Sequence, residues 1–221
     1  MIGRASTCFA PLSMIDRLSE DLDFFRPMFE GSRISDHGRL MRCGALASAL
    51  LAEELMIVGQ SVRSRKWSQL AVRLAVEAKD DSTQSLVGAL GARLPLYFGD
   101  VSETLTLARG AGAAAPRGQV SIVLAPLVEA LAAAQAGDSE AGLRALSGAR
   151  DNFDSLSDQQ QRNGVFGLPA RRFFFYESRV LLDAGKLDSA WRSQDEALDL
   201  YPSSTAGDVA TVCFNSIEQD C

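Results

Sequence analysis

The clearest alternation of apolar and polar positions lies between residues 171 and 202, where it predicts two short amphipathic helices. An Ala184-Gly185-Lys186 turn separates the two helices, and Pro202 ends the second because proline cannot continue a helix. The apolar residues that define the two faces are Phe174, Phe175, Leu181, Leu182, Trp191, Leu198 and Leu200. One hairpin cannot bury such a face alone, so the pattern predicts a stack of similar hairpins with a concave surface.

Three glycines upstream repeat the signal of Gly185, because each follows a segment with helical periodicity. They are Gly59, Gly99 and Gly137, and glycine is favoured there because it adopts the left-handed conformation that ends a helix. Aspartate follows two of them and suits the N-cap of the next helix. A small residue stands seven positions before all four glycines: Ala52, Ala92, Ala130 and Ser178. This recurrence predicts four helical hairpins, at 44–80, 83–114, 119–154 and 168–201.

Small residues also mark the second helix of each hairpin, where the paired helices are expected to cross. They are Ala71 with Ala78, Thr104 with Ala111, Gly142 with Ala149, and Ala190 with Ala197. Runs of alternating β-branched residues are nearly absent, which excludes an extensive sheet. We therefore predict an all-α fold, a solenoid of about four hairpins with flanking helices.

Two flanks and one long connection complete the chain. Residues 1–43 form an N-terminal flank, in which a helix is predicted over 11–30. Its apolar positions are Ile15, Leu18, Leu22, Phe25 and Phe29. Residues 202–221 are predicted to cap the stack with a helix over Asp208–Ile217. The connection at 155–168 is polar and then rich in glycine, which predicts a mobile loop.

The hairpins, their turns and the Leu200-Tyr201-Pro202 stop resemble tetratricopeptide repeats over roughly residues 40–217. More narrowly, residues 165–217 resemble the C-terminal repeat region of actinobacterial helix-turn-helix transcriptional regulators. In that family a DNA-binding head precedes a repeat domain that senses a peptide or a small molecule. The segment before residue 40 has neither the length nor the basic pattern of such a head. The resemblance therefore implies either an isolated bacterial sensor half or a stand-alone relative.

Charge and composition exclude several classes of function. The net charge of −6, from 22 basic and 28 acidic residues, argues against direct binding of nucleic acid. The longest apolar segment, Val120–Ala136, contains polar residues and predicts a buried helix rather than a membrane span. The four cysteines are scattered without metal-ligand spacing, and no secretory signal segment is apparent. We expect a cytoplasmic protein with no metal and no cofactor.

Positions counted from the turn glycines place one row of each first helix on the concave face, because residues one turn apart share a face. The predicted groove residues are Arg93, Tyr97, Leu127, Leu131, Arg172, Phe175, Arg179 and Asp183. Arginine forks in an apolar groove suit a carboxylate or a phosphate, which favours an acidic peptide or an anionic small molecule. The alternative is that these arginines form ion pairs within the fold, with Glu53, Glu177 and Asp183 as partners.

Four consecutive aromatic residues, Phe173-Phe174-Phe175-Tyr176, point in different directions around one helix. At least one of them is expected to be exposed or to lie in the groove. They either fill the core between hairpins or anchor an apolar ligand.

The residues suited to catalysis are few. The single histidine, His37, lies in a polar stretch, and no nucleophile triad, metal-binding motif or phosphate-binding loop is present. Candidates for proton transfer are His37, Glu53 and Tyr97. Burial of a carboxyl group in an apolar groove would raise its pKa and suit it to that role.

Three functions remain open from the sequence. The first is a non-enzymatic regulatory module that binds a peptide, protein or small organic ligand in its groove. The alternative is an enzyme of natural-product biosynthesis, similar to a cyclase, that uses the apolar groove as a substrate pocket. The third is a scaffold for homodimers, because an uncovered apolar end of a stack promotes self-association.

Overall fold

The computed structural model describes residues 11–31, 34–162, 164 and 166–200, with the side chains of residues 11 and 24–36 left out. The described residues form nine helices and no strand. The helices are α1 Pro11–Gly31, α2 Ile34–Ile57, α3 Ser61–Glu77, α4 Asp81–Tyr97, α5 Val101–Ala113, α6 Ser121–Gln135, α7 Ser139–Phe153, α8 Ala170–Asp183 and α9 Leu187–Asp199. The prediction of an all-α fold is confirmed.

The predicted turn glycines end the first helix of each hairpin. Gly59, Gly99, Gly137 and Gly185 have φ angles of 73°, 90°, 82° and 72°, in the left-handed region. A side chain in this region brings Cβ close to the following carbonyl oxygen, so glycine is the residue that fits. The turns of the four hairpins are therefore determined locally by sequence.

Aspartates at the helix starts satisfy backbone groups that have no partner within the helix. The carboxylates of Asp80, Asp100 and Asp138 accept hydrogen bonds from backbone N–H groups of the first turn, at 3.0, 2.8 and 3.0 Å. Such caps satisfy donors that a helix leaves free at its N-terminus. The aspartates after Gly99 and Gly137 have the predicted role.

The helices pack as four hairpins in sequence order: α2 with α3, α4 with α5, α6 with α7, and α8 with α9. The first helices also pack in a row, α2 against α4, α4 against α6 and α6 against α8. The second helices α3, α5 and α7 each pack against the following first helix, so they cover one side of this row. The first hairpin begins at Ile34 rather than at the predicted residue 44.

Small residues lie where the paired helices cross. Ala52, Ala92 and Ala130 are at most 1% exposed, and Ser178 is 7% exposed. A Cβ on Gly142 would lie 3.2 Å from the carbonyl oxygen of Ala130, so α6 and α7 approach closely at this point. Ala78 departs from the prediction, because it is the partly exposed C-cap of α3.

The N-terminal flank forms the predicted helix, α1, which packs against α2. Its buried apolar residues form one cluster with residues of α2: Met14, Ile15, Leu18, Leu22, Leu50, Leu51 and Leu55. We call this the α1–α2 cluster, and the larger set that extends from α2 to α8 the main core. The side chains of Phe25 and Phe29 and the predicted cap at Asp208–Ile217 lie outside what the structure describes.

The connection between α7 and α8 is anchored, although its composition predicts a mobile loop. Leu156 and Leu168 are buried at its two ends. The backbone N–H of Leu168 donates to the carbonyl of Gln160 at 2.8 Å, which folds the connection back on itself. In the described part of the chain, no helix combines the length and apolar character needed to cross a membrane.

Candidate binding site on the first helices

Side chains of α4 and α8 meet across α6, although these two helices do not pack directly against each other. The guanidinium carbon of Arg93 lies 5.6 Å from the ring centroid of Tyr176. The two long side chains span α6 between them. The side of α2, α4, α6 and α8 that the second helices leave uncovered corresponds to the predicted groove, and we call it the concave face.

Five residues form a continuous set on this face, which we call the arginine–tyrosine cluster: Glu53, Arg93, Tyr97, Arg172 and Tyr176. Arg93 forms an ion pair with Glu53, and both residues are 8% exposed. The Arg93 guanidinium also lies 5.9 Å from the Tyr97 ring. Arg172 lies 5.9 Å from the Tyr176 ring, so the two arginines share one aromatic partner.

The surroundings of Arg93 favour its charged guanidinium. Burial of the guanidinium opposes its charge, but the neighbouring Tyr176, the Glu53 carboxylate and a hydrogen bond with Tyr97 outweigh this and raise the pKa above its usual value. Glu54, which follows Glu53 on α2, has its neutral form favoured instead. Burial, and then the adjacent Glu53 charge, raise the pKa of the Glu54 carboxyl above its usual value.

One donor of the cluster is unused. The Nε–H of Arg93 is buried and has no hydrogen-bond partner in the described part of the protein. An unsatisfied donor in the interior costs free energy, and buried polar groups in folded proteins are nearly always paired. The cluster therefore contains a buried cation whose hydrogen-bonding capacity is not fully used.

Exposure separates the predicted groove residues into two groups. Leu127 and Leu131 are buried in the main core, beneath the side chains that meet across α6. Tyr97, which belongs to the cluster, and Phe175, which adjoins it, are 58% and 37% exposed. Leu127 and Leu131 therefore support the face by packing, whereas Tyr97 and Phe175 remain accessible.

Part of the alternative prediction, that the arginines pair within the fold, is confirmed. Arg93 pairs with Glu53, as described above. Arg179 pairs with Asp183 at 3.3 Å, one turn along α8. Glu177 bonds instead to Arg150 of α7 and accepts a hydrogen bond from Ser193 of α9 at 2.9 Å.

The four aromatic residues of α8 have different roles. Phe173 is buried and stacks on Phe153 with a centroid distance of 4.4 Å. Phe174 packs edge-on against Phe173 at the margin of the main core. Tyr176 belongs to the cluster, and Phe175 contacts it edge-on at 6.0 Å while remaining partly exposed.

The candidates for proton transfer do not converge. His37 lies in the first turn of α2 and contacts Glu77 of α3 at 2.8 Å. Glu53 lies near the other end of α2, about 24 Å away at the rise of an α-helix. Tyr97 does lie near Glu53, but through the Arg93 guanidinium that pairs with the Glu53 carboxylate.

A cleft that the sequence did not reveal lies between α7, α8 and α9. It has a volume of about 390 Å³, and its lining combines leucines with arginines and glutamates: Leu143, Leu146, Arg150, Glu177, Leu181, Arg192 and Glu196, with three serines. The sequence gives little indication of this cleft, because its lining residues come from three helices. Among them, only Arg150 and Glu177 form an ion pair between two helices.

The described residues contain no group of side chains that could hold a metal ion. Cys43 is exposed and carries a free thiol, and the other three cysteines fall outside the described residues. Comparison with known proteins identifies no relative: no family model matches the chain, and neither a curated protein nor a solved structure matches it.

Proposed function

We propose that this chain is a non-enzymatic binding module whose four hairpins form a curved stack similar to tetratricopeptide repeats. Its ligand is an amphipathic partner with an anionic group, held on the concave face of the first helices. The repeated turn glycines, the buried small residues and the sequential packing of the hairpins support this architecture.

The arginine–tyrosine cluster is the observation that carries the proposal. It places two guanidinium groups, of Arg93 and Arg172, on one tyrosine ring. Beside them, Tyr97 and Phe175 expose aromatic surface. A partly exposed cation, Arg172, next to apolar rings matches a ligand with a carboxylate or phosphate at one end and an apolar body.

Binding fits the site better than catalysis does. A general base must reach the proton that it abstracts, and the residues suited to this task are dispersed along α2 or held in an ion pair. The peptide or regulatory partner implied by the resemblance to sensor regions has the amphipathic chemistry that this face suits.

A titration with dansyl-undecanoic acid, a fluorescent amphipathic carboxylate, tests the proposal. We expect saturable binding to the wild-type protein, and a loss of affinity of about tenfold in Arg172→Ala, because a hydrogen bond to a charged group contributes on this scale. Arg144→Ala is the matched control, since Arg144 is an exposed arginine of α7 paired with Glu140. Equal affinity of the two variants would place the binding site elsewhere.

A further inference from the structure

We propose that the connection between α7 and α8 is an internal competitor that occupies the concave face when no ligand is bound. We call its described residues 154–162, 164 and 166–169 the strap. The inference rests on the proposed function, because it concerns how access to the same face is regulated.

The position of Phe166 shows that the strap crosses the row of first helices. Its side chain packs against the main core and also against the α1–α2 cluster. The strap itself leads into α8, and α8 is separated from α2 in the packing order by α6 and α4. A residue beside α8 can reach the α1–α2 cluster only by extending across these helices.

The side of the row that the strap crosses is the concave one. The opposite side is covered by α3, α5 and α7, each of which packs against the following first helix. The ring of Phe166 therefore lies on the face that carries the arginine–tyrosine cluster. An aromatic side chain of the chain itself occupies part of the surface that the apolar body of a ligand would contact.

Side-chain hydrogen bonds of two glutamines connect the strap to its surroundings. The side-chain amide of Gln160 donates to the carbonyl of Gly118, in the connection before α6. Gln161 donates to the carbonyls of Phe153 and Leu156, both at 3.2 Å. These contacts hold the base of the strap near α6 and α7, whereas Phe166 is the apolar contact of its far end.

The backbone of the strap is folded tightly next to Phe166. A Cβ added to Gly167 would overlap the carbonyl oxygen of Arg162. This close approach fixes the backbone beside Phe166 locally. Leu156 and Leu168 bury the two ends of the strap in the main core, whereas the Phe166 side chain is only partly buried. The ring of Phe166 can therefore be displaced by a ligand with a larger apolar surface while the ends of the strap stay anchored.

Two variants release the strap to different degrees and test its competition with dansyl-undecanoic acid. In Phe166→Ala we expect about tenfold tighter binding than in the wild type, because apparent affinity scales with the fraction of molecules whose face is open. In Gln160→Ala, which removes the bond to Gly118 and keeps Phe166, the gain is smaller. Leu187→Ala is the control, since it truncates an exposed apolar residue of α9 and should leave affinity unchanged.

Both strap variants should retain helical circular dichroism and cooperative unfolding. If they then bind the probe no more tightly than the wild type, the strap does not compete with the ligand. Absence of probe binding in every folded variant would overturn the competition as well, since an uncovered apolar face must take up the probe. Adding Arg172→Ala to Phe166→Ala separates the two proposals. Tight binding that persists in this double variant supports the strap but contradicts the proposed site.

Discussion

At the scale of single residues, the Arg93–Glu53 ion pair determines the character of the concave face. Both side chains are almost fully buried, and the Arg93 guanidinium lies 5.9 and 5.6 Å from the centroids of two tyrosine rings. Removing charges from water costs several kcal/mol per ion, so a buried pair adds little net stability but is costly to break. Its contribution is to place a fixed cation within an apolar surface.

Removing only the negative charge of this ion pair should destabilise the fold. In Glu53→Gln the Arg93 guanidinium stays buried without its counter-charge, and we expect a loss of about 3 kcal/mol in the free energy of unfolding. The double variant Glu53→Gln/Arg93→Met removes the uncompensated charge and should recover most of this loss. Urea unfolding at pH 7 measures both, and a double variant as unstable as the single one would contradict the argument.

The neighbouring Glu54 predicts a dependence of stability on pH. Its folded pKa is raised above the ordinary value of 4.5, so the folded state holds this proton more tightly than the unfolded state. The resulting stabilisation is complete below the ordinary pKa and is lost as pH rises through the raised folded pKa.

Replacing Glu54 by glutamine removes this loss of stability at high pH, because the amide does not ionise. We expect the melting temperature of Glu54→Gln to exceed that of the wild type at pH 8, and the difference to shrink toward pH 5. Asp195→Asn, at an exposed position of α9, is the control for removal of one negative charge. A difference that grows toward pH 5 would contradict the raised pKa.

At the scale of helices, each hairpin is specified by its turn and its crossing point. These features are local, which explains why they could be predicted from spacing alone. At the Gly142 crossing point, backbone and side-chain atoms of α6 lie 3.2 and 3.3 Å from the place of a Cβ. Gly148, on the same helix, faces open space.

These two glycines give a matched pair of substitutions on α7. Gly142→Ala should destabilise the protein by about 1–3 kcal/mol, because the methyl group forces α6 and α7 apart. Gly148→Ala should stabilise it by about 0.5–1 kcal/mol, because alanine has the higher helix propensity and meets no neighbour. Thermal unfolding compares the two, and a stabilised Gly142→Ala would show that the helices are not in close contact there.

At the scale of the whole molecule, what could not be predicted is how the hairpins are placed relative to one another. The row counted from the turn glycines included Arg93 and Phe175, but it did not predict the meeting of Arg93 with Tyr176 across α6. That meeting follows from the angles between successive hairpins, which no local spacing encodes. Leu127 illustrates the same point, because periodicity places it in the groove whereas packing in the main core buries it completely.

The connection between α7 and α8 failed as a prediction for a different reason. Its polar and glycine-rich composition is typical of mobile loops, and composition averages over a segment. Buried leucines at both ends, Leu156 and Leu168, together with Phe166 and two glutamines, anchor it. Some of these contacts are distant in sequence, on the α1–α2 cluster and on the connection before α6, and composition does not reveal them.

The double contact of Phe166 also affects how the protein folds. In a linear array whose units touch only their neighbours, the folding free energy is a sum of unit and neighbour contributions, and the ends can unfold independently. Phe166 joins the α1–α2 cluster to the core of the later hairpins, and so closes the array into a loop of contacts. Unfolding of the first hairpin then also breaks the contact with Phe166, in the connection before the last hairpin. The stack therefore folds more cooperatively than a simple row of hairpins.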